Sequence, residues 1–204
     1  MSVRLPARER RRQLLDVARD VFAGQGFHAT SMDDVAEAAG VTKPVLYQHF
    51  ANKRALYVEL LEDVGLRLVT EIGEATRQAG SPREQVELGF TAYFRFVTEN
   101  SSAFRLLFGA SVRNDAEFAV VAERVIAAVA EVVSQLIEVD APPVQRLALA
   151  HAVVGMAEAT SRRVAQAGQG DGTGDGEHTT PETLAAWLAE LAWYGLRGIR
   201  PASP

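Results

Sequence analysis

Ala36, Gly40 and Leu46 have the spacing of a small residue where two helices cross, a glycine at the tight turn, and an apolar plug that seats the second helix on the first. Val35 and Val41 add apolar contacts. A helix pair of this kind offers the first part of its second helix to the major groove of a duplex. Thr42, Lys43, Pro44, Val45 and Gln48 are then the candidates for base edges or the thymine methyl. The same spacing also suits two short helices that merely pack. The charge is unevenly distributed: residues 1–55 hold 9 Lys or Arg against 6 Asp or Glu, while residues 56–204 hold 12 against 20. A head of +3 on a body of −8 fits contact with a polyanion at one end. Arg8, Arg10, Arg11 and Arg12 are placed to reach backbone or minor groove, or else form a solvated arm.

Other chemistry finds little support. There is no Cys, so disulfides, thiolate metal sites and cysteine nucleophiles are excluded. His28, His49, His151 and His178 are scattered, neither H-E-x-x-H nor G-x-S-x-G occurs, and the only acid near His151 along its helix is Glu158, a heptad away. An enzyme is not expected, nor a cofactor. In GQGDGTGDGEHTT, the residues Asp171, Thr173, Asp175, Gly176, Thr179 and Glu182 fall on the ligand and turn positions of a calcium loop. His178 replaces its apolar eighth residue, however, Thr173 is a weak ligand, and no partner loop exists. The glycines also miss G-x-G-x-x-G in every register. The segment 168–180 reads as a flexible connector, with no metal expected.

The elements that must position these residues are helices, about nine in an all-α chain. Leu14, Ala18, Val21 and Phe22 give a first helix over 7–25, stopped by Gly26. Ser31 with Asp34 forms a capping box for a short second helix that ends at Gly40. Thr42 caps a third, from Lys43 to about Phe50, where Pro44 sits in a first turn that needs no N–H. Asn52 opens a long helix to about Gln78, roughly 40 Å at 1.5 Å per residue. Ser81, Pro82 and Glu84 start the next, and Asn114 with Glu117 repeats the device. The Val-rich run from Phe118 to Leu136 keeps a three-to-four spacing too long for a strand. Pro142 and Pro143 break the chain before a helix to about Ala167, and Pro181 starts the last one, to about Gly195. The organisation expected is a three-helix head over 7–55 and a helical body over 56–204.

Residues 8–57, centred on VFAGQGFHATSMDDVAEAAGVTKPVLYQHFANKRALY, resemble the DNA-binding head of the tetracycline-repressor (TetR) family of bacterial regulators. LYQHF at 46–50, followed by Lys53 and Leu56, carries the match most sharply. The resemblance implies a DNA-binding, ligand-responsive transcription regulator, a repressor in the simplest case, that meets a pseudo-palindromic double-stranded operator as a homodimer. It implies phosphate contacts from Thr30, Ser31 and Lys53, and backbone or base-face contacts from Tyr47 and His49. An effector-promoted activator fits the same family. Without the resemblance, a helical protein-interaction module also fits.

In the body, Ala148, Ala152, Gly155 and Ala159 form a small-residue face on the penultimate helix, and Leu184, Trp187, Leu188 and Leu191 stripe the last. Two such helices from each of two copies would make a four-helix, two-fold interface. Phe90, Phe94, Phe104, Phe108, Phe118 and Met156 concentrate aromatic and flexible apolar surface, as core or as the wall of an effector cavity. Likeness of the head to the family's lipid-metabolism regulators suggests an acyl-CoA or fatty acyl effector, with an aromatic drug-like compound as the alternative. The composition, 48% hydrophobic and 23% charged, is that of a globular protein. No apolar run reaches the roughly 18 residues of a spanning helix, and arginines stand where a signal peptide would be apolar. A cytoplasmic protein with no membrane contact is expected.

Overall fold

A computed structural model describes residues 6–167 and 180–197. All but the last residue of the 168–180 connector, with all of the calcium-loop positions except Glu182, lies outside the described residues. Ten helical segments appear among the described residues, the seventh only one turn long. They divide between two compact units.

The first unit takes the chain up to residue 65 together with 102–122. It holds α1 (Ala7–Gln25), α2 (Met32–Ala38), α3 (Lys43–His49) and the start of α4 (Lys53–Arg77), then nearly all of α6 (Ser101–Phe108), α7 (Ala110–Arg113) and the start of α8 (Ala116–Leu136). The stripe predicted for α1 is its buried face: Leu14 and Ala18 are fully enclosed and Phe22 nearly so. Gly26 ends α1 at φ +81°, a backbone conformation glycine adopts without a Cβ penalty, and its N–H bonds the Phe22 carbonyl at 2.8 Å. Phe22, Phe27, Tyr57 and Phe118 form one ring cluster with centroids 4.6 to 5.1 Å apart along the chain of contacts Phe22–Tyr57, Tyr57–Phe118 and Phe118–Phe27. The start of α4 and segment 102–122 therefore share a core with the head, so the compact units do not divide at residue 55, where the charge asymmetry does.

The cap of α8 also differs from expectation. Asp115, not Asn114, accepts from the Glu117 and Phe118 N–H groups, at 3.1 and 3.3 Å. Both residue types make good caps. Asp115 is held there by Arg54 of α4, whose guanidinium meets it at 3.1 and 2.8 Å and also reaches Glu117 at 2.7 Å.

The second unit contains the rest of α4, α5 (Pro82–Glu99), the rest of α8, α9 (Pro143–Ala167) and α10 (Pro181–Arg197). The Ser81 cap forms as expected, its hydroxyl accepting from the Glu84 N–H at 3.2 Å. Helix α5 is the centre of this unit, packing against both α10 and α9. Its Phe90, Tyr93, Phe94 and Phe96 are buried, as are Ala150, Val154 and Ala157 of α9 and Leu184, Ala185, Ala189 and Ala192 of α10.

Candidate nucleic-acid interface and body cavity

The turn between α2 and α3 is built as the spacing requires. Ala36 is buried, Gly40 takes φ +63° where a side chain would be strained, and Leu46 is wholly enclosed. The Gly40 N–H bonds the Glu37 carbonyl and the Val41 N–H the Ala36 carbonyl, both at 3.0 Å. With Leu46 turned inward, α3 presents Lys43, Pro44, Tyr47 and Gln48 outward, and Thr42 before it is exposed as well. Tyr47 keeps 45% of its surface free, unusual for a large aromatic side chain and suited to stacking on sugar or base. The Thr42 hydroxyl makes no capping bond to its own helix. Val45 and His49 are half-buried at the edges of this face.

Lys43 is tethered across the turn. Its ammonium lies 2.8 Å from the Asp33 carboxylate of α2, which by hydrogen bond and charge raises it above the ordinary lysine value. Ser31 completes a reciprocal capping box with Asp34, whose carboxyl is held below the usual range by the Ser31 backbone and side-chain hydrogen bonds.

Two of the residues expected to hold phosphate are otherwise engaged. Thr30 is 1% exposed and its hydroxyl donates to the Gly26 carbonyl at 2.8 Å, closing the turn after α1. The Lys53 ammonium donates to the carbonyls of Phe27 at 2.8 Å, Thr30 at 2.7 Å and, more weakly, His28 at 3.4 Å, and lies 4.5 Å from the Phe27 ring centroid. Both act as struts beneath the N-terminus of α2 in this conformation.

Arg11 has a role that the arginine-rich run does not reveal. Its guanidinium pairs with both oxygens of Glu59 on α4, donates to the His49 carbonyl at the end of α3, and lies 4.6 Å from the Phe50 ring centroid. It thereby ties α1, α3 and α4 together. Arg8 and Arg12 remain exposed, and Arg10 bonds Gln13 at 2.7 Å. No sequence motif marks Arg11 out from its neighbours; only the position of Glu59 does.

The second unit encloses a cavity of about 480 Å³, within the range of small-molecule sites. Helix α4 contributes Ile72 and Thr76, α5 Val86, Phe90 and Tyr93, α8 Val129 and Val133, α9 Val154 and Ala157, and α10 Ala192 and Trp193. Of the six residues expected to line a pocket, only Phe90 does so. Phe94 is buried but outside the lining, and Met156 is half-buried outside it. Phe104, Phe108 and Phe118 belong to the first unit, where Phe118 completes the ring cluster and Phe104 packs on Phe108 at 4.8 Å. Aromatic spacing on a helix is the same for core and cavity, so the sequence cannot separate them. The branched face of α8, not the phenylalanines, supplies much of the wall. Burial pushes the Tyr93 phenol well above its ordinary value. The nearby Ser161 hydroxyl opposes that rise, although neither oxygen has a partner at good hydrogen-bonding geometry.

The small-residue face of α9 is open: Ala148, Ala152, Gly155 and Ala159 are all exposed. On α10, Trp187 and Leu191 are 58% and 60% exposed and Tyr194 joins them at 63%, whereas Leu184 is buried within the chain and Leu188 half-buried. Leu184 therefore belongs to the core on the inner side of α10. Among the described residues no group of His, Cys, Asp and Glu side chains is placed to hold a metal ion, and no helix is long and apolar enough to cross a membrane.

Residues 14–60 match the family model described as bacterial regulatory proteins, tetR family, and residues 82–195 match a tetracyclin repressor-like C-terminal domain. The HTH-type transcriptional activator FasR of Mycolicibacterium smegmatis is 43% identical over 105 residues, 52% of this chain and 48% of that protein. The matched stretch thus spans about half the length of that curated relative. A TetR-like transcriptional regulator from Rhodococcus sp. RHA1 is 30% identical over 96% of this chain and 100% of its own, with a TM-score of 0.72. The transcriptional regulator FadR from Bacillus subtilis, solved in complex with stearoyl-CoA, shares the fold at TM-score 0.72 and 16% identity, over 93% of this chain and 99% of its own.

Proposed function

The chain belongs to the tetR family of bacterial regulatory proteins, and from that premise we propose that it binds a pseudo-palindromic DNA operator as a homodimer and regulates transcription in response to a small apolar effector. The carrying observation is α3: a helix seated by buried Leu46 that leaves Thr42, Lys43, Pro44, Tyr47 and Gln48 together on an open face. Lys43 and Gln48 supply donors for guanine or adenine edges, Pro44 and Val45 apolar contact for a thymine methyl, and Tyr47, His49 and Ser31 contacts to the sugar-phosphate backbone. Thr30 and Lys53 contribute by holding the loop before α2 in place.

The open apolar face of α9 and α10 supports dimerisation, because small side chains on α9 allow close helix approach and the exposed Trp187, Leu191 and Tyr194 would leave water. Two recognition helices would then enter successive major grooves, about 34 to 36 Å apart.

The cavity of the second unit supports an effector. Helix α4 lines it with Ile72 and Thr76, and the same helix carries Lys53 under the head and Arg54 on Asp115. An effector that prefers one orientation of α4 would change the spacing of the two heads, a population shift whose size equals its differential affinity for the two states. The largely apolar lining supports the chain of an acyl-CoA or fatty acyl effector. Repression by blocking is the simplest outcome. The similarity to a transcriptional activator, FasR of Mycolicibacterium smegmatis, favours activation as the second reading.

Selection from a random duplex pool at about 0.15 M salt, repeated over a salt series, tests the proposal. An enriched inverted repeat with a steep salt slope is the expected result. Weak binding to every duplex, insensitive to salt, would remove DNA as the partner.

A further inference from the structure

The α2–α3 helix pair is acidic by itself. Residues 31–49 hold three carboxylates, Asp33, Asp34 and Glu37, against one ammonium, Lys43, so the positive charge of the head lies outside the pair. Asp34 is taken up by the cap of α2, its carboxylate accepting from the Ser31 N–H at 2.7 Å. Asp33 has no part in that cap. Its carboxylate instead accepts from the Lys43 ammonium across the turn at 2.8 Å, and the two side chains stay open to solvent, 64% and 50% exposed. An ion pair so exposed contributes little to stability, so folding alone gives no strong reason for it. For binding the pair has two consequences. It cancels the charge that would draw Lys43 to the nearest phosphate, and it takes one of the three ammonium donors, which limits where the other two point.

We propose that Asp33 is a positioning residue for base recognition, holding the Lys43 ammonium off phosphate and on the O6 and N7 acceptors of one guanine in each operator half-site. The inference rests on the reading of α3 as the recognition helix and specifies what Lys43 reads. Guanine offers two neighbouring acceptors in the major groove, whereas adenine sets an amino donor beside its N7, which an ammonium cannot use. Without the tether, the flexible stem of Lys43 lets its point charge trade that guanine for a phosphate, gaining affinity on any sequence and losing selectivity. Asp33 thus lowers affinity for DNA in general and raises the preference for one base pair.

The duplex selected by the parent chain from a random pool, its variants at each base pair and an unrelated duplex are titrated with parent and Asp33→Asn over a salt series. The variant should melt with the parent. It should bind the unrelated duplex roughly tenfold more tightly, as expected for one negative charge removed at about 6 Å from phosphate in each half-site, with a salt slope steeper by about one per half-site. Discrimination at one G·C pair of each half-site should fall about tenfold. In a Lys43→Ala background the same substitution should leave base preference unchanged, because no ammonium remains to be positioned. An Asp33→Asn variant that keeps the parent's base preference, or that weakens every duplex alike, overturns the role of Asp33 and leaves DNA recognition by α3 standing. So does a base pair other than G·C at the position that Lys43→Ala relaxes. No enriched duplex for the parent overturns the DNA reading itself, and this inference with it.

Discussion

Lys43 and Lys53 lie ten positions apart in the same basic head, yet their ammonium groups meet opposite surroundings. Lys53 is ringed by backbone carbonyls and lies over the Phe27 ring, whereas Lys43 faces one exposed carboxylate at the edge of the recognition face. Lys53→Ala should therefore cost about 2 kcal/mol of stability, the range for hydrogen bonds to a charged group, and weaken every duplex alike by loosening the support of α2. Its salt slope should stay that of the parent protein. A slope shallower by about one would return Lys53 to phosphate contact. Lys43→Ala should leave melting almost unchanged, because an exposed ion pair contributes little, but should relax base preference at one position of each half-site. Thermal melting beside binding titrations over a salt series measures both substitutions.

Helix starts were the most legible elements. Ser31, Asn52 and Ser81 cap their helices where the rules put them, because a cap depends on residues within four positions of itself, while Thr42 holds the N-cap position of α3 without a side-chain cap bond. At α8 two good caps are adjacent, Asn114 and Asp115, and the choice falls to Arg54, which is 61 residues from Asp115 in sequence. That carboxylate both caps α8 and anchors α4. Asp115→Asn keeps a capping oxygen and loses the ion pair, while Asp115→Ala loses both, so the alanine variant should melt lower than the asparagine one. Arg54 above all, with the α8 N–H groups, depresses the Asp115 carboxyl below its ordinary 3.8. A depressed folded-state value stabilises at pH above the unfolded value and loses that contribution as pH falls through the folded one. Parent and Asp115→Asn should thus differ in melting temperature at neutral pH, and the gap should close only in acid, as pH falls below the ordinary carboxylate value and through the depressed folded one. A gap that persisted in acid would mean that Arg54 is not the cause.

For the whole molecule, the open face of α9 and α10 carries the heaviest consequence. Gly155 has no atom within 4 Å of where a Cβ would stand, and Ala152 is exposed, so leucines at both positions are accommodated by a single chain. The double substitution Ala152→Leu with Gly155→Leu should leave the helical content of the chain unchanged, shift sedimentation from dimer to monomer, and abolish tight binding to an inverted repeat. A variant that sediments as a dimer would place the interface elsewhere. Leu184, by contrast, is enclosed within the chain, and its truncation should lower stability whatever the oligomeric state.

The sequence by itself determined the helices apart from α6 and α7, the left-handed glycine turn between α2 and α3, and which side of α3 faces outward. Each of these depends on residues a turn or two apart, through caps, positive φ and apolar periodicity. Only the tertiary structure decided that Thr30 and Lys53 brace the head, that Arg11 ties α3 to α4 and Arg54 ties α4 to α8, and that the first unit runs past residue 55 to take in Phe118. Only it showed that Phe90, alone of the six candidates, lines the cavity, which branched residues of α8 and α9 complete. The reason is physical. A stripe of apolar side chains specifies that a helix will bury one face, but what that face meets, whether core, cavity or a second copy, depends on partners tens of residues away.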